Sequence, residues 1–335
     1  MRGRVRAIMA TNQGLITREQ AVDAGMSGSE IDRLVRKGTW VAVRRGVYAE
    51  AGLLASVTTP GAKQLIRDRA ACLRIRVPFV RSHTTAALEL GIAILLPPKP
   101  MTHVTRPCVG THNTFGIKHH LAPYSKDDVV EAGRFEVLGM ARTAVDIARE
   151  YGEPYGLVAV DRVRAIGVGK DELQAVIEGM RFWPDRRAAI DAVELSVADS
   201  ESVGETLGRV LLTEMGYTVH TQFGLSDGRR TAWADMRVGR HLIEFDGRVK
   251  YRSSEFGGLA PVSAEQVVYD EKVREDFLRG FHLGMSRVGW ADVWGPGREA
   301  AKTRLRREIE ATNRRYGVSI ADLAPYIITR RKPAI

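Results

Sequence analysis

Residues 229–251, RRTAWADMRVGRHLIEFDGRVKY, constrain this chain most, because their alternation fits a β-hairpin. In Thr231–Val238, Ala232, Ala234, Met236 and Val238 face one way and Thr231, Trp233, Asp235 and Arg237 the other. Gly239-Arg240 supplies the turn. Residues 241–247 alternate again, with Ile243 and Phe245 opposed to Leu242, Glu244 and Asp246. Antiparallel pairing lets Asp235, Glu244 and Asp246 share one side of the sheet. Carboxylates so placed repel unless a divalent cation sits among them. Taken alone, the stretch leaves two readings open: the polar face of an edge hairpin, or a metal site.

The flanks extend the pattern. A helix starts near Ser200, with Glu201 and Glu205 four apart on one face and Leu207, Val210 and Leu211 on the other. A strand is expected over 217–223. Downstream, 269–279 reads as a second helix and 281–288 as a strand. The order helix, three strands, helix, strand is that of the PD-(D/E)XK nuclease core. Residues 199–294 resemble a small endonuclease-like family related to the very-short-patch-repair nucleases. The residues that carry the likeness are Asp235, then Glu244-Phe245-Asp246-Gly247, then the charged run 271–276, then Gly280-Phe281. The resemblance implies Mg²⁺ held by Asp235, Glu244 and Glu205, with the Phe245 carbonyl as a further ligand. Such an ion activates water and stabilises a cleaved phosphodiester. The implied catalytic group is Glu205, Asp235, Glu244, Asp246, Lys250 and Lys272. Two departures stand out. Asp246 occupies the position of the core lysine, so a basic group must come from Lys250, Lys272 or Arg274. Residues 252–266 form an insertion containing Gly, Ser and Pro. Such a core also serves for binding alone, so cutting and binding both stand as readings.

At 335 residues the chain suits two or three domains. A net charge of +10 favours a polyanionic partner, nucleic acid before an anionic membrane surface, although solubility alone can account for it. Cys72 and Cys108 are the two cysteines, with no CxxC pair, which suits a reducing cytoplasm. No apolar run approaches the ~18 residues of a membrane span, and no membrane partner is expected. The N-terminal arginines precede only Ala7-Ile8-Met9-Ala10, which is no signal peptide. Phosphate-binding and nucleophile-elbow glycine motifs are absent from the sequence.

Residues 1–50 read as three helices followed by a two-stranded hairpin. Thr17 with Gln20 has capping-box spacing, and Ser27 caps a third helix whose stripe is Ile31, Leu34 and Val35. Helix, turn, helix and wing form the winged helix-turn-helix plan, in which the second helix of the pair enters the major groove and the wing touches phosphates. Ser29, Glu30, Arg33, Arg36 and Lys37 would lie on or beside the exposed helix face, and Arg44 and Arg45 on the wing. A small helical domain that docks a protein is the other reading. The segment is similar to the N-terminal domain of the AbiEi antitoxin family. The likeness rests on 14–21 (GLITREQA), Gly25-Met26-Ser27, 34–38 (LVRKG) and 44–48 (RRGVY). It implies a winged helix that binds promoter DNA of its own operon, and a toxin encoded beside it.

Residues 51–196 read as a middle domain, and 82–91 continue the likeness to AbiEi-like proteins. His83, at a helix start, reads as a local hydrogen-bonder. His119 and His120 are adjacent in a strand and must face opposite ways. No third ligand is visibly spaced to join either of them or His112, so no metal is assigned there. The tail carries a basic helix from Gly297.

The expected fold is α+β and multidomain: a winged helix-turn-helix over 1–50, a mixed middle domain over 51–196, a restriction-endonuclease-like α/β core over 197–296, and a basic helix and tail over 297–335. The leading functional reading is a cytoplasmic DNA-binding regulator of the AbiEi antitoxin type, with double-stranded DNA and a neighbouring toxin as partners. The alternatives are a Mg²⁺-dependent endonuclease targeted by the winged helix, and a protein-binding antitoxin.

Overall fold

Local capping sets the N-terminal elements. In a computed structural model that describes residues 3–108, 110–247 and 264–329, α1 (Gly3–Thr11) buries Val5 and Met9. The chain then forms β1 (Leu15–Thr17) and turns directly into α2 (Arg18–Asp23). The Thr17 hydroxyl accepts the Gln20 N–H, and the Gln20 amide oxygen accepts the Thr17 N–H in return. Ser27 and Glu30 repeat this box at the start of α3 (Gly28–Arg36). Each box satisfies two N–H groups that a helix end otherwise leaves bare. β2 (Trp40–Arg44) and β3 (Val47–Glu50) form the hairpin, and β1 joins β3, giving the antiparallel order β1-β3-β2. β1 was not foreseen. It has three residues, all buried, so it lacks the alternation that marks a strand exposed on one face.

The chain continues through α4 (Ala51–Ser56) and α5 (Pro60–Cys72), the latter capped by Thr59 with Pro60 in its first turn. Next come β4 (Val80–Arg81), α6 (His83–Glu89), β5 (Thr102–Arg106), β6 (His112–Thr114), β7 (Ile117–Leu121), β8 (Val129–Ala132) and β9 (Phe135–Leu138). These strands make one mixed sheet in the order β6-β7-β5-β4-β9-β8, with β5/β7 and β4/β9 parallel. α7 (Met140–Tyr151), α8 (Tyr155–Ala165), α9 (Lys170–Glu178) and α10 (Arg186–Leu195) share an apolar core with Ala87 of α6, built on Val145, Ile147, Val160, Leu173 and Ile177.

The remaining elements are α11 (Val203–Glu214), β10 (His220–Ser226), β11 (Thr231–Val238), β12 (His241–Phe245), α12 (Ala264–Arg279), β13 (Gly284–Val288), α13 (Trp290–Val293), α14 (Arg298–Tyr316) and β14 (Ile327–Ile328). Their sheet runs β13-β12-β11-β10-β14. β10, β11 and β12 form an antiparallel meander, and the chain crosses through α12 to place β13 parallel to β12. The hairpin turns at Gly239, which has φ +55°, as the sequence predicts. Strands β10 and β13 each start three residues later than expected. Tyr217 still closes the end of α11, and Phe281 and His282 close α12, through their N–H groups.

The architecture is multidomain α+β. Two compact units separate: residues 1–163 with 168–195, and 164–167 with 196–335. No described helix is long and apolar enough to cross a membrane.

Candidate functional site

The first group of residues lies on α3 and the hairpin after it. Ile31 is buried, and Leu34 and Val35 pack half-buried against the core around Val5, Ile16 and Trp40. The opposite face carries Ser29, Arg33 and Arg36 at helical spacing, followed by Lys37; all four are exposed. Asp32 is the carboxylate of this face. Arg18 of α2 holds it in an ion pair at 2.8 Å, and this hydrogen bond lowers the Asp32 pKa. Arg18 also reaches the Tyr48 hydroxyl at 3.3 Å, so α2, α3 and β3 are tied at one side chain. The neighbours of Asp32 are therefore cations with their local acid already engaged. The two hairpin arginines differ. Arg45 is exposed, whereas Arg44 is half-buried and donates to the Phe115 carbonyl at 2.7 Å.

The second group consists of the carboxylates on β11 and β12, and it is arranged differently from the sequence expectation. Asp235 lies one residue beyond the last ladder pair, Met236 with Ile243, and its Oδ2 accepts the Phe245 N–H at 2.8 Å. Glu244 is buried, and both its oxygens accept from Arg274 of α12, at 2.5 and 2.7 Å. A bidentate guanidinium is the strongest partner a carboxylate commonly finds in a protein. Arg274 is one of the three residues named above as a source of the missing basic group; here it pairs with Glu244. Glu205 works at the start of α11: its Oε1 accepts from the Ser202 hydroxyl and its Oε2 from the Glu201 N–H, both at 2.8 Å. Glu201 therefore lies outside the helix rather than on a shared face with Glu205. Gln222 also reaches Glu205, at 3.3 Å. Asp246 and Lys272 are exposed, and Lys250 lies outside the described residues. Among the described residues, Glu205, Asp235 and Glu244 do not form a three-ligand group with donor atoms mutually within 4.8 Å.

Such a group forms elsewhere, in the first unit. His83, His103 and His120 bring one ring nitrogen each to within 4.8 Å of one another. The spacing of the sequence shows no third ligand for His119 and His120. The parallel pairing of β5 with β7 supplies it, setting Thr105 opposite His120 and so placing His120 on the face that carries His103. His119 faces the other way and stacks on His112, as adjacent strand residues must. His83 begins α6 with φ +50°, a conformation that costs a non-glycine residue energy. Its Nδ1 bonds the Ser82 hydroxyl at 2.9 Å, which is the local role expected of it. His103 bonds His120 through Nδ1 at 2.8 Å and the Tyr151 hydroxyl through Nε2 at 2.7 Å. Burial drives the His83 and His103 pKa values well below the ordinary one and that of His120 down to about 3. All three rings are therefore neutral near pH 7. The sequence signal for this cluster is spread over 38 residues of chain, and only the strand pairing joins it.

With the geometry in place, known proteins bear on the first unit. Residues 4–51 match the family model described as "Transcriptional regulator, AbiEi antitoxin". That span covers α1 through β3, including the cationic face of α3. No curated protein matches the chain.

Proposed function

We propose that this protein is a DNA-binding transcription regulator of the AbiEi antitoxin type, and that residues 4–51 act as a winged helix. α3 is then the recognition helix in the major groove, with Ser29, Arg33, Arg36 and Lys37 toward the DNA, and Arg45 contacts phosphate from the wing. The observation that carries this reading is the coincidence of the family match with an exposed row of cations on α3. The element order α1-β1-α2-α3-β2-β3, with β1 beside β3, supports it as well. Arg44 acts as a brace through Phe115 rather than as a leading phosphate contact. A toxin encoded next to this gene is the partner such a regulator would have.

One observation favours a second reading for the other unit. Its order α11, β10, β11, β12, α12, β13, with β13 parallel to β12, supports the likeness to PD-(D/E)XK nucleases drawn from the sequence. The engagement of Glu244 by Arg274 weighs toward a core kept for binding rather than for Mg²⁺ chemistry. One experiment addresses both readings: the protein is mixed with DNA from upstream of its own gene, or with unrelated DNA, in the presence of Mg²⁺. The regulator reading expects tighter retention of the upstream DNA and intact strands. Equal binding to both DNAs contradicts promoter recognition. Strand cutting that is lost in Asp235→Ala replaces it with the nuclease reading.

A further inference from the structure

The geometry points to a transition-metal site of three imidazoles, His83 Nε2, His103 Nδ1 and His120 Nε2, suited to Zn²⁺. It lies apart from the face of α3 and does not depend on the DNA-binding reading.

A histidine can ligate through one nitrogen only if the proton sits on the other, and a hydroxyl beside that other nitrogen can accept the proton's hydrogen bond, so it is compatible with the ligating tautomer. His83 Nδ1 faces the Ser82 hydroxyl and His103 Nε2 faces the Tyr151 hydroxyl. With protons on those two nitrogens, His83 Nε2 and His103 Nδ1 present lone pairs. His120 Nε2 lies 2.8 Å from His103 Nδ1, a separation at which the two share a proton. Ligands of a tetrahedral Zn²⁺ at ~2.0–2.1 Å stand about 3.3 Å apart, so the ion replaces that proton after the pair opens by about half an ångström. The displaced proton moves to His120 Nδ1, so the ring stays neutral. The His83 ring stacks on His120 with centroids 3.9 Å apart, and it must turn about its Cβ–Cγ bond to direct Nε2 at a shared ion; the turn gives up the Nδ1 bond to Ser82, so at His83 the ion itself selects the Nδ1–H tautomer.

The surroundings suit this assignment. The nearby cations already have carboxylate partners: Lys118 pairs with Glu150 at 2.5 Å, and Arg142 and Arg149 both pair with Asp146, at 2.9 and 3.1 Å. The site is anchored from behind as well. Buried Asp68 of α5 accepts from Thr85 and Thr102, and Thr85 accepts the His103 N–H, which fixes β5 against α6. Imidazole donors select Zn²⁺ and its neighbours over Mg²⁺, which prefers oxygen. The Mg²⁺ expected from the nuclease likeness therefore has no place here.

The test uses untagged full-length protein, Zn²⁺ in equilibrium dialysis and Co²⁺ as a spectroscopic probe. The expected result is one tightly held ion per chain and the visible absorption of tetrahedral Co²⁺. Both should be lost in His83→Gln and His120→Gln and retained in His112→Ala, whose ring lies on the other face of β7. Should the glutamine variants fail to fold, ¹⁵N spectra of the wild-type histidines decide the matter. Zn²⁺ must then fix Nδ1–H tautomers at His83 and His120 and Nε2–H at His103. Wild-type protein that retains no Zn²⁺, or binding unchanged in folded His83→Gln and His120→Gln, overturns the assignment.

Discussion

Asp68 shows at the scale of one residue how the first unit is held. It is fully buried in α5, with Gln64 donating to it at 2.7 Å, Thr102 at 2.8 Å and Thr85 at 3.0 Å. Burial nonetheless dominates and pushes its pKa up to about 7, the donors only partly offsetting it. The sign follows. Between about pH 4 and pH 7 the unfolded chain has lost this proton while the folded chain keeps it, so stability through this group falls as pH rises, by up to ~1.4 kcal/mol per pH unit. Asp68→Asn removes the ionisation and keeps the shape. The variant should gain stability relative to wild type as pH rises from about 5 to 8, read from urea midpoints at each pH. A difference that does not change with pH contradicts this role for Asp68. Nothing in the sequence marks the residue: a single Asp in a helix reads as solvent-exposed, and only the folded packing of α5 against α6 and β5 shows it buried. His103 was illegible for the same reason, since one histidine in a strand names no partner until the strands pair.

Elements were more legible than sites, and the reason is local chemistry. The capping residues Thr17 and Ser27 and the stripe Ile31, Leu34, Val35 lie within a turn or two of what they act on, so sequence alone places α2 and α3. The same holds for β11 and β12, whose alternation and Gly239 turn are short-range. What these elements do with their charged groups depended on a distant helix. Arg274 is thirty positions from Glu244, and no local signal in the sequence announces that the expected metal ligand has a guanidinium partner. Close packing between elements gives a second test. Gly204 in the first turn of α11 lies against the Phe245 ring at the end of β12, where any added Cβ would collide with it. Gly204→Ala should therefore overpack this contact and destabilise the protein by about 1–3 kcal/mol, measured as a lower urea midpoint. An unchanged midpoint would mean that α11 can slide off β12 without cost.

At the scale of the whole molecule, a net charge of +10 sets a long-range preference for polyanions but does not say which surface meets one. The fold narrows that choice in the first unit. Among the residues proposed to touch DNA, Ser29, Arg33, Arg36, Lys37 and Arg45 are exposed, while Arg44 is committed to Phe115. The three-histidine cluster lies in the same unit, with His83 and His103 buried and His120 half-buried. The measurement that bears most directly on the central claim is salt-dependent anisotropy of a labelled duplex from upstream of the gene. Wild-type protein would be compared with Arg33→Ala/Arg36→Ala. The account predicts a weaker complex in the variant, by about tenfold or more, with a salt slope shallower by roughly 0.9 for each phosphate contact removed. Equal affinity and equal slope for the two proteins would contradict it and move the DNA contact away from α3.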